Sequence, residues 1–338
     1  MITQTQTSFL VKEKAIQLVK DEFSKALAEK LHLSKISAPI IVQKHTGIND
    51  DLCGVERPVK FPIKSMGEES GEVVQSLAKW KRQILGKYDI PVGQGIWTDM
   101  RALRTDEILS PIHSLYVDQW DWEKHILPEH RNLQTLKTTV QKIYEAITEV
   151  EKLVEIQFPD LKSTLPKNIT FIHSEELRQL YPDLTQKERE DRITKTHGAV
   201  FIIGIGGKLG DDKIHDDRAP DYDDWSSTSE TGMKGLNGDI LVWHPKLEKA
   251  FEISSMGIRV NAESLMHQCK LQEKTDRLKF PFHQMLLKDE LPQSIGGGIG
   301  QSRLCMFMLK KHHIGEVQVS IWPETMRKTL AEQGIHLL

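Results

Sequence analysis

The sequence predicts an α+β fold, a mostly antiparallel central sheet flanked by helices, in a single domain over residues 1–338. Strand-like runs come in pairs, 95–103 with 114–123 and 237–242 with 251–260, while the long helical patterns stand in separate blocks. That arrangement argues against a doubly wound α/β sheet, in which single strands and helices alternate. No repeat, low-complexity tract or Pro/Gly/Ser linker divides the chain.

Residues 8–31 read as an amphipathic helix, because Phe9, Ile16, Val19, Phe23, Leu27 and Leu31 recur at helical spacing. A strand over 33–42 follows, interrupted by Pro39, which suits an edge or a bulge. A second helix is expected over 72–85, closed by Gly86 as its C-cap. The strands 95–103 and 114–123 flank a polar loop, and a long helix is expected over 132–155. A buried strand is expected over 199–205. The strands 237–242 and 251–260 connect through His244-Pro245, and helical stretches follow at 285–287 and 304–310.

Composition sets limits on function. The chain is 38% hydrophobic and 28% charged with a formal net charge of −3, so a nucleic-acid surface is not expected. Three cysteines at wide spacing, Cys53, Cys269 and Cys305, exclude a disulfide framework or a CxxC metal knot and fit a reducing cytosol. The N-terminus has no apolar signal core and no run is long enough to cross a bilayer, so a cytoplasmic protein without membrane contact is expected.

The most informative run is Ile295-Gly296-Gly297-Gly298-Ile299-Gly300-Gln301-Ser302-Arg303-Leu304. Glycine has no Cβ, so a backbone or a flat ring can approach it closely, and arginine offers a planar charged fork to phosphate oxygens. A purine against the glycines with a phosphate under Arg303 fits this pattern, and so does a Gly-rich turn before a buried helix. Gly204-Ile205-Gly206-Gly207-Lys208-Leu209 imitates a phosphate loop. It has Ile202 where that motif needs glycine and Leu209 where it needs Ser or Thr, so it reads as a strand ending in a tight turn.

On the strand 114–123, Gln119, Asp121 and Glu123 share one face and alternate with Trp120 and Trp122. The polar row either lines a cleft or is solvated. In a simple hairpin Asp239 and Glu252 would lie opposite each other, about 5 Å apart at Cβ. Like charges so placed repel unless they share a cation such as Mg2+, which makes them candidate metal ligands; two exposed hairpin acids are the alternative. The run Asp221-Tyr222-Asp223-Asp224-Trp225 is open between a cation holder and a solvated loop.

Together these pieces resemble the catalytic domain of class II aminoacyl-tRNA synthetases, particularly the aspartyl/asparaginyl branch. The first helix and strand with Pro39 resemble that fold's dimer-interface motif, 104–123 its second motif, and Gly298-x-Gly300-x-x-Arg303 its third. Gln75-Ser76 with Lys81 resembles its aspartate-binding segment. Four longer segments are more similar to the ammonia-dependent asparagine synthetases, stand-alone relatives of those enzymes. They are Ser76-Leu-Ala-Lys-Trp-Lys-Arg-Gln83, Tyr116-Val-Asp-Gln-Trp-Asp-Trp-Glu123, Arg218-Ala-Pro-Asp-Tyr-Asp-Asp-Trp225 and Ser254-Ser-Met-Gly-Ile-Arg259. The resemblance covers nearly the whole chain, with mild departures at Gln75 and Cys53.

What the resemblance implies is amidation of L-aspartate by ammonia at the expense of ATP, through a β-aspartyl-adenylate, giving L-asparagine, AMP and pyrophosphate. It implies Arg104, with Mg2+ held by Glu252 and Asp239, at the α-phosphate. Arg303 would take the terminal phosphate of a bent ATP, with Gly298 and Gly300 beside adenine. Lys81 would meet a carboxylate of aspartate, and Ser76, Gln119, Asp121 and Ser255 its amino and carboxylate groups, with Asp223 and Arg259 completing the pocket. Asp50 matches the acid that positions ammonia and accepts its proton, although locally Asn49-Asp50-Asp51-Leu52 also reads as a turn. A homodimer is implied as well.

Two rivals are weaker. An enzyme that charges tRNA would need space for an anticodon-binding barrel upstream of the first motif, which ends by residue 42, and the net charge is negative. A non-catalytic descendant would be expected to have lost the phosphate arginines or the metal acids, and all four are present. Glutamine is not the expected nitrogen source, because Ile2 stands where an N-terminal cysteine nucleophile would be needed.

Overall fold

The computed structural model describes residues 4–49, 52 and 56–338. Helix α1 (Gln4–Leu31) keeps Ile16, Val19, Phe23, Leu27 and Leu31 buried on one face, as their spacing requires. The strand expected over 33–42 is two strands, β1 (Leu33–Lys35) and β2 (Ile41–Gln43), which belong to different sheets. Pro39 lies in the gap, where it has no N–H to give to a ladder.

The helix expected over 72–85 is also divided. Strands β3 (Lys60–Ile63) and β4 (Glu69–Val73) join β2 in a small antiparallel sheet, and α2 (Ala78–Lys87) begins only after it. The backbone of 71–73 is paired with β2, which leaves Gln75 and Ser76 on an extended connection. Gly86 lies inside the last turn of α2, and Tyr88 is the cap.

The chain continues through β5 (Gly95–Leu103), β6 (Tyr116–His125), α3 (Leu133–Gln157), β7 (Thr170–His173), α4 (Ser174–Leu180) and α5 (Gln186–His197). Then come β8 (Ala199–Ile203), β9 (Asn237–His244), β10 (Lys249–Ile258), α6 (Ala262–Leu271), α7 (Pro281–Leu287), β11 (Ser294–Gly300), α8 (Gln301–Met308) and α9 (Glu324–Glu332). The main sheet has the order β1-β5-β6-β11-β10-β9-β8-β7. Its inner strands, from β5 to β8, run antiparallel, and each outer strand joins in parallel, so the sheet is mixed and mostly antiparallel.

One face of this sheet is sealed by α1, α3 and α8. Phe23 of α1 meets Trp120 of β6 with ring centroids 4.5 Å apart. Helix α3 buries Leu136, Val140, Ile143, Ile147, Val150 and Val154 in the same cluster. Each such side chain contributes roughly 1.5–3 kcal/mol. Asn132 caps α3 by accepting the Thr135 N–H at 2.9 Å. The opposite face carries α2 over β6 and β11, and α5 over β9 and β10.

Two local features place functional residues. The glycine run is neither a turn nor a loop: it is an inner strand, β11, and α8 starts immediately after it. In β10, Glu252 pairs with Leu241 but Ser254 with Ile240, so one extra residue is inserted there. An unbroken strand would send residues 252 and 255 to opposite faces; the bulge returns both to one. The expected hairpin pairing also fails. The turn is centred one residue later than symmetry about Pro245-Lys246 supposes, and the bulge shifts the ladder again, so Asp239 faces Ser255 and not Glu252.

Candidate active site

A cleft of about 440 Å³ is lined by residues from β6, β10 and β11 together with the loops around them. Its floor is formed by Gln119, Asp121, Ser255, Gly297 and Gly298, with Arg259 just beyond the end of β10. Its walls are Ser76, the loop bearing Arg104, Glu107 and His113, the loop bearing Arg218, Tyr222 and Asp223, and Arg303 near the start of α8. Glycine is required in the floor. A Cβ on Gly298 would lie 2.2 Å from Gln119 Oε1, so only hydrogen leaves that amide its position.

At one end the charges are paired tightly. Arg259 donates from Nε to Glu123 Oε1 at 3.0 Å, from Nη2 to Glu123 Oε2 at 2.8 Å, and from Nη1 to Asp223. Burial would lower the Arg259 pKa, but Glu123 and Asp223 hold it above its ordinary value. Burial likewise raises Glu123, and the Arg259 guanidinium brings it below the usual carboxylate range. Ser294 Oγ completes the carboxylate at 2.7 Å.

The Lys81 ammonium is wholly buried one layer behind the floor. It donates to Asp121 Oδ1, to Trp122 O at 2.8 Å and to Gly297 O at 3.4 Å. Burial pushes its pKa down, against the pull of Asp121 and Glu123. Oδ2 of Asp121 has no hydrogen-bond partner, although the residue lines the cleft. A buried acceptor in that condition calls for a donor, which a water or a ligand group can provide.

The other end leaves guanidinium groups available. Among the described residues no carboxylate lies within ion-pair distance of Arg104, whose Nε and Nη2 each stand 3.4 Å from Gln75 O. Arg303 Nη1 is 3.2 Å from Glu252 O and 3.3 Å from Glu252 Oε1. His113 is pushed down to about 4 by burial, with the Arg303 charge adding, so it is a neutral imidazole at neutral pH. Its Nδ1 is 2.9 Å from Ser110 Oγ.

Asp239 and Glu252 are the acids on which the sequence places Mg2+. Among the described residues no group of three metal-ligating side chains occurs. Two hard oxygen donors nevertheless suit Mg2+, which keeps waters and takes phosphate oxygens as further ligands. Asp239 Oδ1 is buried without a hydrogen-bond partner among the described residues, an acceptor that such an ion would satisfy. Its Oδ2 accepts from Arg218 Nη2 at 2.5 Å. Burial pushes the Asp239 carboxyl up to about 6 against the pull of Arg218. Burial also raises Glu252, and Arg303 and Arg218 bring it below its ordinary value.

Eleven of the residues singled out in the sequence line this one cleft: Ser76, Arg104, Gln119, Asp121, Asp223, Glu252, Ser255, Arg259, Gly298, Gly300 and Arg303. Asp239 adjoins it through Arg218, and Lys81 lies behind it. Asp50 lies outside the described residues. The solvated reading of the acidic run 221–225 fails: its acids are buried, and the cations they hold are the protein's own. Asp221 accepts from Lys79 at 2.9 Å and lies 2.8 Å from His283 Nε2, while Asp224 accepts from Arg131 at 2.5 Å. Sequence reasoning passed over His113, Glu107, Tyr222 and Arg218. The signals for Arg218 were its place directly before Ala219-Pro220 and that acidic run, and the resemblance of the whole segment 218–225 to the asparagine synthetases.

A family model described as aspartate-ammonia ligase matches residues 10–334. An aspartate–ammonia ligase of Bacteroides thetaiotaomicron is 55% identical over 326 residues, covering 96% of this chain and 94% of its own. One of Clostridium perfringens shows the same identity and coverage. The structure of asparaginyl-tRNA synthetase from Pyrococcus horikoshii complexed with asparaginyl-adenylate superposes with a TM-score of 0.68 at 14% identity, covering 92% of this chain and 70% of that one.

Proposed function

The chain belongs to the aspartate–ammonia ligase family, and on that premise we propose that it makes L-asparagine from L-aspartate, ATP and ammonia through a β-aspartyl-adenylate. The observation that carries this reading is one cleft with Arg259 charge-matched by Glu123 and Asp223 at one end and, among the described residues, Arg104 without a carboxylate partner at the other. A side-chain carboxylate is a poor acyl donor because its oxygen leaves badly. In the first step a β-carboxylate oxygen attacks the α-phosphorus and pyrophosphate departs. In the second, ammonia attacks the activated carbonyl carbon, AMP leaves with the bridging oxygen, and the nitrogen gives its proton to a base.

The residues divide between these tasks. Asp121 Oδ2 and Gln119 take the ammonium of aspartate, while Lys81 fixes Asp121 from behind. Ser76, Ser255 and Arg259 face its carboxylates, and Glu123 and Asp223 hold the Arg259 plane in place. Arg104 and Arg303 neutralise charge that grows on the phosphates, where one well-placed donor is worth about 2.7–4 kcal/mol. Gly298 and Gly300 leave room for the adenine. Mg2+, held by Asp239 and Glu252, would supply further charge neutralisation at the phosphate oxygens. Asp50 is assigned the acceptance of the ammonia proton. The protein is taken to act as a homodimer in the cytoplasm, with α1 and β1 in the subunit contact.

The test is direct: incubate the protein with Mg-ATP, aspartate and ammonium, and measure AMP and asparagine together. Equimolar appearance of both supports the reading, with no comparable rate when glutamine replaces ammonium. AMP without asparagine, or asparagine with ADP, would overturn it.

A further inference from the structure

Arg218 is the one guanidinium on the cleft wall for which the proposed reaction has given no task. Its side chain is 11% exposed. Nη2 donates to Asp239 Oδ2 at 2.5 Å, Nη1 donates to Asp217 O at 2.7 Å, and Nη1 stands 3.7 Å from Asp216 Oδ2. The backbone beneath it is pinned: Gln272 Nε2 donates to Arg218 O at 2.7 Å, and Trp225 Nε1 donates to Ala219 O at 3.1 Å. Any movement is therefore a swing of the side chain from a fixed root.

The partner matters more than the pair. Asp239 is one of the two acids assigned to Mg2+, and this guanidinium occupies one of its oxygens while the other, buried, has no hydrogen-bond partner among the described residues. A divalent ion on Asp239 would stand within a few ångströms of the Arg218 charge, in a wall where repulsion is poorly screened. Both cations cannot share the carboxylate favourably unless an anion joins them. A nucleoside triphosphate is such an anion, and Arg104 and Arg303 bring its phosphates to this cleft under the proposed function.

We infer that Arg218 is a stand-in for the metal at Asp239, released onto a phosphate oxygen when the metal and the triphosphate arrive together. The guanidinium neutralises Asp239 while the site is empty of ligand. It opens the cation position only when a phosphate is present to receive it, and so it becomes a third phosphate-binding arginine. Metal and nucleotide binding are then coupled, and the coupling is reciprocal. A conformational change in this enzyme would follow from the differential affinity of Arg218 for carboxylate and phosphate.

This rests on the reading of Asp239 as a metal ligand, and the experiment separates the two claims. Mn2+ alone is titrated into the whole protein and followed by electron paramagnetic resonance, first without nucleotide and then with a non-hydrolysable ATP analogue. Wild type should bind Mn2+ weakly alone and much more tightly with the analogue. Arg218→Met should bind Mn2+ alone about tenfold more tightly, and the gain conferred by the analogue should shrink by a similar factor. Arg218→Lys, which keeps a charge of the same sign near Asp239, should fall between the two and guards against a loss of fold in the methionine variant. Asp239→Asn in the Arg218→Met background should abolish the tight Mn2+ binding. Unchanged Mn2+ affinity in Arg218→Met, with Asp239→Asn still weakening it, would overturn the role of Arg218 alone. Indifference of Mn2+ binding to Asp239→Asn would overturn the metal assignment and this inference with it.

Discussion

Gly297 and Gly298 are adjacent in β11, yet alanine should act on them in opposite ways. A Cβ on Gly297 would lie 2.5 Å from Met256 Cβ, 2.6 Å from Ser255 O and 3.0 Å from Met256 Cα. Those atoms belong to the backbone of β10 or next to it, so relief requires two paired inner strands to separate. Overpacking of that kind costs roughly 1–3 kcal/mol. A Cβ on Gly298 meets only the end of the Gln119 side chain, 2.2 Å from Oε1 and 2.8 Å from Cδ. That amide can rotate away at little cost in stability, but it then abandons the substrate. A hydrogen bond to a charged group is worth about 1.5–3 kcal/mol, so kcat/KM for aspartate should fall about ten- to a hundredfold. Urea unfolding and a pyrophosphate-release assay on the two variants read the contrast. Equal losses of stability, or kcat/KM for aspartate within about twofold of wild type in Gly298→Ala, would refute the argument.

Three further outcomes are expected. Arg303→Ala should lose about 2–4 kcal/mol of activation, measured as adenylate formation by ATP–pyrophosphate exchange; near-normal exchange would remove Arg303 from the phosphate site. Glu252→Gln should shift the Mg2+ titration of activity to higher concentration, and an unchanged titration counts against metal binding at Glu252. Burial holds the His244 side chain down to about 4, from 6.5, so the unfolded chain binds more protons between those values and stability falls as pH drops from about 6.5 to 4. That group contributes about 3 kcal/mol of the loss, and His244→Gln should flatten the pH dependence of the urea midpoint in that window.

The architecture was legible where periodicity was strong. The strand 95–103 and the helix over 132–155 stand within a residue or two of their expected ends, because alternation and helical spacing are local properties. Helix α5 was not legible, since Gln186-Lys187-Glu188-Arg189-Glu190-Asp191 carries no apolar stripe. Its one signal was the capping box formed by Thr185 and Glu188, which the structure contains. The Asp239–Glu252 pairing failed for a different reason. The turn is centred one residue later than the midpoint of the two acids, so Glu252 pairs with Leu241 before the bulge is reached, and the bulge then carries Asp239 to Ser255. The resemblance supplied residue identities for the cleft, but not their partners: that Lys81 is spent on Asp121, or that Arg218 holds Asp239, follows only from the packed chain.

Under the proposed function, the pairing of the arginines accounts for one cleft holding both an amino acid and a triphosphate. Arg259 is locked between Glu123 and Asp223, so it can present its plane to a small substrate without reorganising, and it is a poor trap for phosphate because its charge is already matched. Among the described residues Arg104 has no carboxylate within ion-pair distance and stands against a backbone carbonyl, while Arg303 has the rim carboxylate of Glu252, whose side chain is 38% exposed. A phosphate reaching those two guanidinium groups displaces water and at most one half-solvated carboxylate, a small penalty beside that of separating a buried pair. Aspartate at the phosphate end would gain less, since its ammonium group would enter a region of unmatched positive charge. Under the proposed function, selectivity between the two anions would then be set by which arginines the carboxylates of the protein leave unmatched, and the buried acids Glu123 and Asp223 would shape substrate choice without touching the nucleotide.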